Sequence, residues 1–224
     1  DITDPQKVIY LGKLLSATDP SDWRDVKIYN DHAFIVSEAS NHGLQVFDLY
    51  NLLESDEFKT FNEDYIANDF GNAHNIAINV STGFAYVLGS ALYKGGPVFY
   101  DISIPEQPIL RGGFSDTSYI HDAQIITYEG KDQKYLGREI LLGSNSDGGE
   151  TNQLIILDVT EKTNPQMISS ISYSYGGYTH QGWIDENHRY FYLGDELDEL
   201  RYGNKTRIIT FDLKDLKNPK IHFV

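Results

Sequence analysis

One short signature recurs along the chain, an aspartate set between apolar residues. It stands at Phe47-Asp48-Leu49, Tyr100-Asp101-Ile102-Ser103, Leu157-Asp158-Val159-Thr160 and Phe211-Asp212-Leu213-Lys214, and Asp1-Ile2-Thr3 opens the sequence with a fifth copy. The aspartates lie 47 to 57 residues apart. A second marker begins each unit: WRDVKI at Trp23, HNIAIN at His74, HDAQII at His121 and HQGWID at His180. Between the markers run AFIVSE, GFAYVLGS, REILLGS and RYFYLGD. A fixed period of this kind demands one supersecondary unit per repeat, each burying its apolar face against the next. Every unit reads as three short strands, an Asp-Pro turn, and a fourth strand such as VIYLGKLL or QMISSISY, with no helix.

Four strands recurring about every 50 residues describe the blade of a β-propeller. A strand solenoid would need shorter repeats, and a sandwich would not repeat its markers. The expected fold is therefore all-β: a β-propeller of four-stranded antiparallel blades. The repeat units run roughly over 1–15, 23–66, 74–114, 121–173 and 180–224. That makes about four blades plus one strand before them, a window on a larger ring. The repeated aspartate has a structural role in this scheme. At the end of the third strand its carboxylate accepts backbone N–H bonds of the turn, and Pro5, Pro108, Pro165 or Pro219 fixes the exit.

Charge narrows the partners. Eighteen Lys and Arg face thirty-three Asp and Glu, a formal charge of −15. Such a field repels phosphate backbones and anionic lipid, so nucleic acid is excluded as a partner and cations are favoured. No apolar run is long enough to span a bilayer. The absence of cysteine removes disulfides, zinc-thiolate sites and thiol catalysis.

In a propeller the first strand of each blade lines the central channel, and the residues entering it gather at one mouth. His74, His121 and His180 each stand at that entry, each followed by a polar residue: Asn75, Asp122 or Gln181. The first unit has Arg24-Asp25 in the equivalent place. Two readings stay open. The three imidazoles are candidate ligands of a transition metal, which Zn, Fe, Cu or Ni would satisfy. Alternatively, with Arg24, Asp25, Asn75, Asp122 and Gln181, they form a polar rim that closes the channel or binds a ligand. Acidic loops share this mouth. Asp147 and Glu150 in NSDGGE, and Asp195, Glu196, Asp198 and Glu199 in GDELDE, are candidate calcium ligands or a solvated acidic face. The loop SEASNHG, residues 37–43, fills the same slot in the first unit. His32, His42 and His188 sit beside turns and read as solvated. Trp23 and Trp183 suit sugar stacking, although core packing accounts for most of the aromatic content. There is no G-x-S-x-G elbow, phosphate-binding glycine loop or H-E-x-x-H motif.

The Asp-apolar-Ser/Thr turns closed by proline resemble LVIVD repeats. The ordered series from WRDVKIYNDHAFIVSEASNHGLQVFDL through YTHQGWIDENHRYFYLGDELDE to TRIITFDLKDLKNP is similar to the choice-of-anchor B family. That resemblance covers essentially the whole chain. It implies a bacterial surface or secreted setting, with a blade before Asp1 and, after Val224, a further histidine-bearing blade and an anchor. It implies no activity. The expected function is binding of a protein, glycan or small ligand at the charged mouth. The alternatives are a metal-dependent hydrolase or oxidoreductase built on the three histidines, and a structural spacer. Oligomeric state is left open.

Overall fold

The computed structural model describes residues 1–53 and 58–224. Four successive four-stranded antiparallel sheets carry the chain, each ordered from its first strand outward. Ahead of them lies a short strand, β1 (Gly12–Leu14). The first sheet contains β2 (Arg24–Tyr29), β3 (His32–Ser37) and β4 (Leu44–Asp48), and is completed, after β5 (Lys59–Phe61), by β6 (Tyr65–Ala67). The second contains β7 (Asn75–Asn79), β8 (Phe84–Leu88), β9 (Val98–Asp101) and β10 (Ile109–Gly113). The third contains β11 (Tyr119–Thr127), β12 (Glu139–Ser146), β13 (Asn152–Asp158) and β14 (Gln166–Ser172). The fourth contains β15 (Thr179–Ile184), β16 (Tyr190–Asp195), β17 (Ile208–Asp212) and β18 (Lys220–Phe223). The first strands β2, β7, β11 and β15 neighbour one another in turn, as the inner strands of propeller blades do.

Alternation along the strands explains the stacking, because successive residues face opposite sides of a sheet. In β8, Ala85 and Val87 pack on Phe34, Val36 and Val46 of the first blade, while Tyr86 and Leu88 pack on Leu141 and Ile155 of the third. In β12, Ile140 and Leu142 face Phe191, Leu193 and Phe211 of the fourth. Inner blades are thus apolar on both faces, which is why their strands read as unbroken hydrophobic runs. Each fully buried Leu, Ile or Phe contributes about 1.5–3 kcal/mol.

The repeated aspartates hold turns, in all five copies by the same bond. A side-chain oxygen accepts the backbone N–H two residues on: Thr3 to Asp1 at 2.8 Å, Tyr50 to Asp48 at 2.9 Å, Ser103 to Asp101 at 3.1 Å, Thr160 to Asp158 at 3.1 Å and Lys214 to Asp212 at 2.9 Å. Three of them also receive a guanidinium: Arg111 on Asp101, Arg138 on Asp158, and Arg189 through two nitrogens on Asp212.

Two expectations need correction. VIYLGKLL does not form a fourth strand of a blade: only Gly12–Leu14 is extended, and it pairs parallel with β5. A free strand edge pairs with whichever edge lies in reach, and Gly12 permits the close approach, since a Cβ there would fall 2.1 Å from the Lys59 carbonyl oxygen. The chain also has a helix where none was expected, α1 (Asp198–Tyr202), ended by Gly203 at φ 70°. No helix among the described residues is long and apolar enough to cross a membrane.

Candidate functional site

The mouth is shaped by two β-bulges. Ile120 pairs with Asn145 and Asp122 with Ser144, leaving His121 between them without a partner. Thr179 pairs with Asp195 and Gln181 with Gly194, leaving His180 likewise. A bulge re-aims the extra side chain. His74 stands just before β7, its N–H donating to the Leu88 carbonyl at 3.0 Å. The residues that follow, Asn75, Asp122 and Gln181, line the central channel of about 1080 Å³ together with Asp25. The histidines instead line a separate recess of about 290 Å³.

Within the recess the imidazoles form a row. Ring centroids of His74 and His121 lie 4.1 Å apart and those of His121 and His180 4.2 Å apart, tilted by 49° and 33°. Two tyrosines interleave with them. Tyr119, two residues before His121, lies 6.2 Å from the His74 ring, and Tyr178, two before His180, meets His121 edge-on at 5.5 Å. The first blade adds Trp23 and Glu38, and the fourth adds Glu196. Gly89, at φ +69°, makes room for this packing. A Cβ there would lie 2.6 Å from the Tyr119 hydroxyl oxygen and 2.9 Å from the His74 Cβ.

Hydrogen bonds fix how the rings present themselves. His74 Nδ1 lies 2.6 Å from Glu38 Oε1, which only accepts, so Nδ1–H donates there and Nε2 is turned away from the carboxylate. His121 Nδ1 lies 2.9 Å from the His180 carbonyl oxygen, which only accepts, so Nδ1–H donates and Nε2 again is left as acceptor. Burial, reinforced by the neighbouring His74 and His180, pushes the His121 pKa down to about 4, so this ring is neutral at ordinary pH. His180 Nε2 lies 3.7 Å from Glu196 Oε2. Burial raises the Tyr119 and Tyr178 phenols above their ordinary range and holds them protonated, and it also raises the Asp122 carboxyl.

Arg24 does not join the histidines. Its Nε donates to the Ser21 carbonyl at 3.1 Å, and Trp23 lines the recess in its place. The reason is register: β2 pairs with β3 without a bulge, so Arg24 keeps the direction the pleat gives it. Glu38, Tyr119 and Tyr178 are recess residues that sequence reasoning missed. The repeated spacing Tyr-x-His at 119–121 and 178–180 is the signal for the tyrosines, although strand alternation does not set their face, because a bulge falls at each histidine.

The acidic run does not gather into one site. Asp195 accepts from the Tyr173 hydroxyl at 2.6 Å, from the N–H groups of Gly177 and Tyr178 at 2.8 and 2.9 Å, and from those of Leu197 and Asp198 at 3.0 and 2.9 Å. Burial raises this carboxyl, but the hydrogen bonds together outweigh it and hold the pKa below the ordinary range. Asp198 is buried against Arg207, and Glu199 accepts from Thr206. Only Glu196 of this run lines the recess. One loop earlier, Asp147 closes its own turn with the N–H groups of Gly149 and Thr151, and Glu150 is exposed. Among the described residues no three His, Asp or Glu groups stand in an arrangement that could hold a metal ion.

His32 and His42 are not solvated. They are 6% and 0% exposed, and burial lowers the His42 pKa. His42 is drawn in by a bond from Nδ1 to the Gly43 carbonyl at 3.0 Å. His188 accepts from the Glu129 N–H at 2.9 Å, tying the third blade to the fourth. Trp183 is 68% exposed and lines the channel, away from the recess.

No family model and no curated protein matches the chain. Among solved structures it is similar to hydrazine synthase of Kuenenia stuttgartiensis, with a TM-score of 0.56 and 13% identity, over 85% of this chain and 53% of that one. The chain thus spans about half the length of this neighbour. At that identity the likeness is one of fold, and it accords with the propeller architecture.

Proposed function

We propose that this chain is the ligand-binding propeller of a bacterial surface or secreted protein of the LVIVD-repeat, choice-of-anchor B type. Its recess takes a protein, glycan or small ligand. One observation carries the reading: side chains from all four blades meet in a single recess, where Tyr119, Tyr178 and Trp23 offer ring surface beside imidazole and carboxylate acceptors. Three aromatic rings stand there beside five His and Glu side chains, polar groups that converge in one concavity and can orient a ligand. Bonds within the protein use both oxygens of Asp195, whereas His74 and His121 each have one ring nitrogen left for a guest.

The test is a glycan array and a small-molecule screen by NMR, run on the protein and on a Trp23→Ala/Tyr178→Ala variant whose thermal melt shows it folded. A ligand bound by the protein and lost in the variant supports the recess. A ligand held equally by both places binding elsewhere and overturns the reading.

A second reading has its own observation. Metal-ligating histidines commonly donate their other ring N–H to a carboxylate or a backbone carbonyl. His74 does the first and His121 the second. A divalent transition metal held by His74, His121 and His180 would require the rings to turn from their stack, and would make the recess a centre for hydrolysis or oxidation. Elemental analysis of protein purified without chelator or affinity metal decides this. About one transition-metal ion per chain, lost in the triple alanine variant, supports it, and its absence from both removes it.

A further inference from the structure

The recess gathers hydrogen-bond acceptors in a row. His74 Nδ1–H donates to Glu38, the tautomer in which Nε2 carries the lone pair. His121 is only 9% exposed and lines the recess, its Nδ1 proton is held by the His180 carbonyl, and its Nε2 has no protein partner among the described residues. Glu196 adds a carboxylate that is half exposed and faces inward beside His180. Around these acceptors stand the rings of Trp23, Tyr119 and Tyr178, whose π faces attract positive charge. The chain as a whole carries a formal charge of −15, a balance that favours cations over anions as partners. The Trp23 indole N–H and the Tyr119 and Tyr178 hydroxyls can donate, but the carboxylate accepts only and the two imidazole nitrogens offer lone pairs, so a guest that meets this row brings N–H donors and positive charge. Among common groups the primary ammonium fits this description, with three donors and no lone pair. A quaternary ammonium has the charge without the donors, and a neutral sugar has donors without the charge. At about 290 Å³ the recess lies at the small end of ligand pockets, a size that suits a head group.

We propose that the recess recognises a primary alkylammonium group, with His74 Nε2, His121 Nε2 and the Glu196 carboxylate as its acceptors and the aromatic side chains as its walls. The proposal rests on the ligand-binding reading above and names the chemistry of the guest. The group occurs on amino sugars and on lysine side chains, and the acceptor row is common to both.

Imidazole ¹⁵N resonances of the protein, followed by long-range ¹H–¹⁵N correlation at pH 8, read the test directly. The probes are n-butylammonium chloride, tetramethylammonium chloride, methyl β-glucoside and zinc chloride. Butylammonium is expected to move the His74 and His121 Nε2 resonances saturably. Tetramethylammonium is expected to bind about tenfold more weakly or worse, the size of one lost charge-assisted hydrogen bond. Glu196→Gln, on an exposed side chain whose loss leaves the His74–Glu38 bond in place, is expected to weaken butylammonium by a similar factor of about ten. Methyl glucosaminide and Nα-acetyl-lysine amide then tell the two sources apart.

Equal binding of tetramethylammonium overturns the proposal, because charge alone would then explain recognition. Binding of methyl glucoside without butylammonium overturns it while leaving the recess a ligand site. Zinc shifts without butylammonium shifts overturn it in favour of the metal centre. No shift with any probe overturns it as well, and the array result then stands alone for the broader reading.

Discussion

Glu38 Oε1 sits 2.6 Å from His74 Nδ1, across 36 residues of sequence and from one blade to the next. The contact is short and charge-assisted, and it sets which nitrogen of His74 faces the recess. Glu38→Gln removes the charge and keeps the shape. The expected result is a mixed tautomer at His74, read as Nδ1 and Nε2 ¹⁵N shifts moving toward each other, with a stability loss of about 1–2 kcal/mol by urea titration. An unchanged tautomer would mean that packing, not Glu38, orients the ring.

His121 supplies a pH prediction. Its folded pKa of about 4 lies below the ordinary 6.5, so between those values the unfolded chain binds more protons than the folded one. This group's contribution is therefore constant above pH 6.5 and declines as pH falls toward about 4, by at most roughly 3 kcal/mol. Urea titrations across that window should show the decline, and a His121→Gln variant should lose this part of the slope. A ¹⁵N titration with its midpoint near 6.5 would contradict it.

Gly89→Ala tests whether the recess depends on one missing methyl. The left-handed backbone at φ +69° disfavours any side chain, and the new Cβ would press on Tyr119 and His74. The expected loss is about 1–3 kcal/mol, accompanied by shifts of the Tyr119 and His74 ring resonances. A stable variant with unmoved rings would show that the blades absorb the methyl elsewhere.

Asp212→Ala tests the repeat's turn. It removes the acceptor of the Lys214 N–H and both bonds from Arg189. A loss of about 1–3 kcal/mol is expected, seen as a lower urea midpoint with unchanged slope. The recess resonances of His74 and His121 should stay in place, because Asp212 belongs to a turn of the fourth blade and does not line the recess.

Much of this architecture is legible in the residues. The Asp signature, the apolar runs and the fixed period give the blades, since a turn-holding carboxylate and two-sided apolar strands leave few other arrangements. The histidines are found because they recur near the start of β7, β11 and β15. What the sequence hides is local and physical. A bulge depends on the register of the partner strand, so nothing in HDAQII or HQGWID alone turns His121 and His180 toward the recess, and nothing in WRDVKI keeps Arg24 out of it. Glu38 is hidden because it comes from another blade. The acidic run misleads because composition counts carboxylates and not the lone pairs already taken: Asp195 is fully occupied, while Glu196 beside it faces the cavity.

The interleaving of Tyr119 and Tyr178 with the histidines bears on how such a site arises. Neither the Tyr-x-His segment of the third blade nor that of the fourth makes a recess alone, for each tyrosine packs on the histidine of the blade before it. The site is thus a property of the seam between copies. Duplicating a blade would extend the row, but grafting one onto another scaffold would carry only half of a pair.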